Sequence, residues 1–130
     1  MITICKEFNF SASHHLPNHK GLCKNDHGHN YKLFVEIRNI YEEINTNADH
    51  CEYGMVADFG SLKELVNKLI IDKYDHQCLN DYFPNPTAEE MIIHFSIVLN
   101  NRLRQSGSEL VQLKLYETET SFVRWRNESL

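Results

Sequence analysis

Near the start of the chain, Ile2, Ile4, Phe8 and Phe10 fall on alternate positions, with Lys6 the exception in the row. Tyr31, Leu33, Val35 and Ile37 alternate more cleanly, against Lys32, Glu36 and Arg38. A period of two belongs to a strand with one buried face, so Ile2–Phe10 and Tyr31–Ile37 predict half-buried strands. The stretch from Asn39 to Gly54 is polar and turn-rich, with Asn45, Asn47 and Asp49, and reads as a loop or hairpin end.

The period then changes. Leu62, Leu65, Val66 and Leu69 recur at helical spacing behind two candidate caps, Asp58 and Ser61, the latter with Glu64 three residues on. A second helix is predicted from Asn85-Pro86-Thr87, with Thr87 and Glu90 as a capping box and Ile92, Phe95, Leu99 and Leu103 as its apolar stripe. The polar break Arg104–Glu109, centred on Gly107, ends it. Alternation resumes over Leu110–Glu117 and Phe122–Trp125, with a turn near Glu119 and Thr120 and an optional small strand near Met55. The order β-β-α-α-β-β predicts an α+β fold: an antiparallel four-stranded sheet with two helices on one face.

With 130 residues and no repeat or linker, the chain reads as a single domain, 1–130. A chain of this length buries roughly two thirds of its unfolded surface, enough for a core without staples. The formal charge of −5 argues against a nucleic-acid or anionic-membrane partner, since both need a basic surface. No apolar run is long enough for a signal peptide or membrane span, so a cytoplasmic address is expected. Cys5, Cys23, Cys51 and Cys78 are widely spaced and are expected to be free thiols.

His27-Gly28-His29 stands directly before the second strand. If the alternation runs back that far, both histidines share the face of Leu33, Val35 and Ile37, where two imidazoles can converge on one ion. The even-numbered face of Phe8, Phe10 and Ala12 continues to His14, while His15 points the other way. Parity therefore selects His14, His27 and His29 as ligands of Zn2+, with a fourth position open for water or substrate, the arrangement of a catalytic zinc. A cupin-type site would need a carboxylate soon after on the same strand face, and Glu36 lies on the opposite one.

Three further features surround this set. Cys23 precedes His27 by four residues; a thiol near a cation and Lys24 can serve as thiolate for general-base work, as a fourth ligand that would make the zinc structural, or simply as an inert buried thiol. Asp75-His76 lies in the inter-helix loop and is a candidate proton relay. Glu117 ends the apolar row Val111, Leu113 and Leu115, and a buried carboxylate must be paired. It would meet either a basic side chain or a ligand with two adjacent N–H donors, such as the edge of a pterin or guanine.

Taken together, Phe10-Ser11-Ala12-Ser13-His14, Cys23 before His27-Gly28-His29-Asn30-Tyr31, Asp58-Phe59, Tyr74-Asp75-His76 with Leu79-Asn80-Asp81, Asn85-Pro86-Thr87-Ala88-Glu89 and Tyr116-Glu117-Thr118 resemble the 6-pyruvoyltetrahydropterin synthase / 6-carboxytetrahydropterin synthase family. The stretches stand in the family's order and span nearly the whole chain. The resemblance implies a tunnelling fold, in which three subunits close their sheets into a barrel and two rings stack as a homohexamer. Active sites then lie between subunits, so Cys23, His76 and Glu117 need not come from one chain. It further implies that His14, His27 and His29 bind zinc, Cys23 is the base, and Asp75 and His76 relay protons. Glu117 would anchor the pterin of 7,8-dihydroneopterin triphosphate, with Thr87 and Thr118 as further ring contacts.

The short link from His14 to Cys23, and Asn-Pro-Thr-Ala-Glu after the Asp-His loop, resemble the bacterial carboxy branch. That branch releases acetaldehyde and triphosphate on the route to queuosine. His15, where many relatives carry Arg, and Tyr116, where Lys is common, depart from the pattern. The alternatives are the pyruvoyl branch, which eliminates triphosphate toward tetrahydrobiopterin, and a non-catalytic zinc- or pterin-binding oligomeric module.

Overall fold

The computed structural model describes residues 1–130. The first two strands run further than their apolar alternation: β1 spans Ile4–His14 and β2 spans His27–Asn39. They pair antiparallel from Ile4 opposite Ile37 to His14 opposite His27. The ladder is held by backbone groups, which pair regardless of side chain, so it carries both strands past their hydrophobic stretches to the histidines.

Beyond the loop follow α1 (Phe59–Val66), a π-helical turn (Asn67–Ile71) and a last helical turn α2 (Asp72–Tyr74). Then come a two-residue β3 (Gln77–Cys78), α3 (Ala88–Gln105), β4 (Ser108–Thr118) and β5 (Ser121–Arg126). The sheet order is β3-β1-β2-β4-β5, and the expected four antiparallel strands thus become five in a mixed sheet. The addition, β3, runs parallel to β1 through Ala12–Gln77 and Ser13–Cys78. Two residues carry no hydrophobic period, so alternation could not mark it. No strand forms near Met55; instead Asn45 N–H donates to Met55 O and Gly54 N–H to Asn45 O, each at 2.8 Å, closing the loop.

Helices and sheet enclose one core. Phe8, Phe10, Ala12, Tyr31, Leu33, Val35 and Ile37 on the sheet meet Phe95, Leu99 and Leu103 of α3, whose expected stripe is buried throughout. Two rows differ from the sequence pattern. In the first helix the buried row is Leu62, Val66, Ile70 and Tyr74, with Leu69 only partly covered. At about 3.6 residues per turn, a row spaced by four would drift around the helix; the wider π turn brings Ile70 back to the sheet. In β4, Glu36 faces Gln112 while Ile37 faces Leu110, so Val111 is the extra residue of a β-bulge. The buried row is therefore Leu110, Leu113 and Leu115, and Val111 is only half-buried.

The caps are simpler than predicted. Asp58, not Ser61, caps α1 by accepting the Ser61 N–H at 3.0 Å. Thr87 Oγ1 accepts the Glu90 N–H at 3.1 Å, but the Thr87 N–H donates to Asn85 O, so only half of that capping box forms. After α3 the chain turns at Gly107, whose φ of +82° suits glycine. Beside this turn, buried Glu109 accepts from Arg38 Nε (2.9 Å) and Nη2 (2.7 Å) and from Arg104 Nη1 (2.6 Å), at the end of β2 away from the histidines. No helix is long and apolar enough to cross a membrane.

Candidate active site

The β1–β2 register builds the histidine cluster. His14 lies directly opposite His27, and His29 lies opposite Ala12, whose small side chain leaves the diagonal between His29 and His14 open. His14 Nε2 stands 2.9 Å from His27 Nε2 and 3.1 Å from His29 Nε2. One ring nitrogen from each of the three lies within 4.8 Å of the other two. His14 is buried, and the other two are half-buried.

Hydrogen bonds on the far side of two rings fix their tautomers. A carbonyl oxygen can only accept, so His14 Nδ1–H donates to Pro86 O and His27 Nδ1–H donates to Asn25 O, each at 2.8 Å. In the neutral rings both Nε2 atoms then present lone pairs to each other across 2.9 Å, an arrangement that repels unless a proton or a metal ion lies between them. Burial, opposed by the Glu117 carboxylate, keeps the His29 imidazole below its usual pKa and hence neutral, the form that ligates a metal. Three imidazoles, two of them oriented by outer hydrogen bonds, fit zinc or a similar divalent ion.

Glu117 Oε1 lies 3.4 Å from His29 Nε2, so the carboxylate borders the cluster and is partly exposed rather than sealed in the core. Leu113 and Leu115 pair with Val35 and Leu33 of β2, so by parity Glu117 continues their row onto the face of Tyr31 and His29, while on its other side the β4–β5 register shifts between Tyr116 and Thr118. Tyr31 stacks on Phe10 at 4.9 Å, and its hydroxyl is 3.4 Å from His14 Nδ1. Burial, then the Glu117 charge, pushes its phenol well above the usual range, so it stays protonated.

Asp75 and His76 dock on β1 from the other side. Asp75 accepts the Ser11 N–H at 2.9 Å and faces His76 Nδ1 at 3.0 Å. These contacts, that of Ser11 foremost, hold its carboxyl below the ordinary value. His76 donates its N–H to Ser11 O at 2.6 Å with φ of +60°, a left-handed conformation uncommon outside glycine. Its exposed ring and His29 line one open cleft of about 410 Å3 with Ser11, Asn30 and Gln77.

Cys23 sits in a 3-10 turn, Leu22–Lys24, outside the set of converging nitrogens. Its loop is tied back where Leu16 N–H donates to Cys23 O at 2.7 Å. Thr87 serves as the cap of α3, next to the Pro86 carbonyl that holds His14. Thr118 is exposed at the end of β4, bordering a second cavity of about 390 Å3 with Asn30, Lys32 and Tyr116. The carbonyls of Pro86 and Asn25 and the Tyr31 hydroxyl escaped the sequence reading. Backbone acceptors leave no trace in residue type, and Tyr31 lay within an ordinary apolar row.

Residues 3–128 match the family model described as 6-pyruvoyl tetrahydropterin synthase. A 6-carboxy-5,6,7,8-tetrahydropterin synthase of Haemophilus influenzae is 34% identical, covering 97% of this chain and 99% of the relative. A 6-pyruvoyl tetrahydrobiopterin synthase of Dictyostelium discoideum is 33% identical, over 92% of this chain and 91% of the relative. The solved 6-pyruvoyl tetrahydropterin synthase of Caenorhabditis elegans superposes with a TM-score of 0.78 at 26% identity, covering 98% of this chain and 96% of that one. With matched segments that include every converging histidine, the chain belongs to the 6-pyruvoyl tetrahydropterin synthase family.

Proposed function

We propose that this chain is a zinc-dependent carbon–carbon lyase that converts 7,8-dihydroneopterin triphosphate to 6-carboxytetrahydropterin, releasing acetaldehyde and triphosphate, in queuosine biosynthesis. The observation that carries the reading is the convergence of His14, His27 and His29, with lone pairs already aimed inward, beside the carboxylate of Glu117. The carboxy branch is supported by the Haemophilus relative, which matches nearly end to end.

Zinc held by the three imidazoles supplies Lewis acidity toward the hydroxyls of the substrate side chain. Glu117 accepts two parallel N–H bonds from the pyrimidine edge of the pterin, which gives both strength and orientation. Thr87 and Thr118 add contacts to the ring. Cys23 as thiolate takes a proton from the side chain, and His76, oriented by Asp75, carries protons between carbon and oxygen. In an assembly of two stacked trimers these groups need not come from one subunit, which suits a thiol outside the histidine cluster and an exposed His76.

A second reading keeps the same machinery but eliminates triphosphate to form the pyruvoyl pterin. The Dictyostelium relative and the Caenorhabditis structure, which carry that name, favour it. The test is to incubate zinc-loaded protein with dihydroneopterin triphosphate, assaying acetaldehyde enzymatically and pterins by mass spectrometry. Acetaldehyde together with the carboxy pterin is expected. A pyruvoyl pterin without acetaldehyde would move the chain to the second branch, and no conversion at verified zinc occupancy would leave a binding module.

A further inference from the structure

The segment that carries Asp75 and His76 runs along β1 as a continuous ladder. It begins at Ser11, whose N–H and C=O are taken by the Asp75 carboxylate and the His76 N–H. It continues through the β3 pairs at Ala12 and Ser13. At His15 the backbone partner gives out and a side chain replaces it. The His15 N–H donates to Asn80 Oδ1, and Asn80 Nδ2 donates to the His15 carbonyl, each at 2.9 Å. A backbone N–H only donates and a carbonyl only accepts, so the carboxamide has one orientation here.

His15 is also the root of the thiol loop. Its Nδ1 contacts Asp26 Oδ1 at 2.9 Å, and Leu16 N–H donates to Cys23 O at 2.7 Å, so the loop from Leu16 to Asp26 closes on this point. One half-buried carboxamide thus joins three segments: the strand end with His14, the loop with Cys23, and the stretch with Asp75 and His76.

We propose that Asn80 is a positioning residue for the thiol loop. By mimicking one more residue of the β1–β3 ladder, it fixes the direction in which the chain leaves His14 and hence where Cys23 stands relative to the histidines. The proposal deepens the reading of Cys23 as the base, and rests on it for its effect on turnover.

The test compares Asn80→Ala and Asn80→Asp with the unaltered protein. Ala removes both bonds. Asp keeps the acceptor for the His15 N–H but sets an oxygen against the His15 carbonyl. Three quantities are read: the iodoacetamide labelling rate of Cys23 by peptide mass spectrometry, zinc affinity by chelator competition, and kcat and KM. Freeing the loop from two hydrogen bonds is expected to speed Cys23 labelling and lower kcat by roughly five- to thirtyfold. KM and zinc affinity should stay within about twofold, and exposed Cys51 should label at an unchanged rate.

A purely structural role would lower Tm but leave Cys23 labelling in the folded protein unchanged, and that result overturns the proposal. Loss of zinc in step with turnover also overturns it, because Asn80 would then act through His14. Should Asn80→Ala not fold, Asp26→Asn weakens the same loop root from its exposed side, with the same shift in labelling expected. Faster Cys23 labelling in a protein that never converts dihydroneopterin triphosphate would sustain Asn80's role while refuting the reaction.

Discussion

Metal removal from the histidine cluster should destabilise the fold, because two of its rings are then left facing each other with nothing between them. With His14 Nδ1–H on Pro86 O and His27 Nδ1–H on Asn25 O, neither Nε2 carries a proton to place between them at 2.9 Å. Without a metal a proton must come between them: either one ring shifts its own to Nε2 and gives up a 2.8 Å hydrogen bond, a net cost of about 1 kcal/mol, or one is taken up from solvent. His27, the more exposed ring, is expected to yield first. Zinc at about 100 times its dissociation constant adds roughly 2.7 kcal/mol to the folded state. For a domain of this length, each kcal/mol moves Tm by roughly 3–5 °C, so a rise of about 8–13 °C is expected over chelator-treated protein. The assay is thermal unfolding of protein stripped of metal, then titrated with zinc. His27→Ala should lose most of the increment, and His14→Ala combined with His27→Ala should lose all of it. His19→Ala, outside the cluster, should keep it. An equal rise in the double variant, or none in the unaltered protein at saturating zinc, would refute the metal-centre reading.

Replacing Cys23 by Ala should lower kcat by about a hundredfold or more, the scale of a lost general base, while zinc content holds at one ion per chain; departure of the zinc would make the thiol a ligand instead. Because the Ser11 N–H and His76 hold the Asp75 carboxyl below its ordinary value, its contribution to stability is present above about pH 4 and is lost as pH falls through the folded value. The gap in unfolding free energy between the unaltered protein and Asp75→Asn should therefore be widest near neutrality and close on acidification. A gap that does not change with pH would contradict that account. Glu109→Gln should cost about 2 kcal/mol in urea unfolding, below the figure for a fully buried ion pair because Arg104 is half exposed. Its zinc affinity should match the unaltered protein, since the Arg38–Glu109–Arg104 group lies at the other end of the second strand.

Much of this molecule is written locally. The alternation that runs Phe8, Phe10, Ala12, His14 and His27, His29, Tyr31, Leu33 needs no partner to be visible, because side-chain direction in a strand depends on parity alone. That parity separates His14 from His15, and it separates the cluster from Glu36. The stripe Ile92, Phe95, Leu99 and Leu103 and the Thr87 cap are equally local, set by the pitch of one helix. The order of short motifs along the chain was enough to indicate the family.

What the tertiary structure decided is whatever depends on two segments meeting. The bulge at Val111 and the π turn at Ile70 arise because the chain must keep a buried row facing a particular neighbour, and neither period foretells a one-residue slip. β3 exists only because β1 offers it backbone groups. The tautomers of His14 and His27 are chosen by the carbonyls of Pro86 and Asn25, which every residue possesses and no residue type announces. Parity puts Glu117 on the face of Leu113 and Leu115, but that it meets His29 there rather than a basic side chain was decided by the pairing of the fourth strand with the second. The three histidines as a set were therefore legible from the chain alone. Their readiness to share one cation was decided by which backbone oxygens the fold brought behind them.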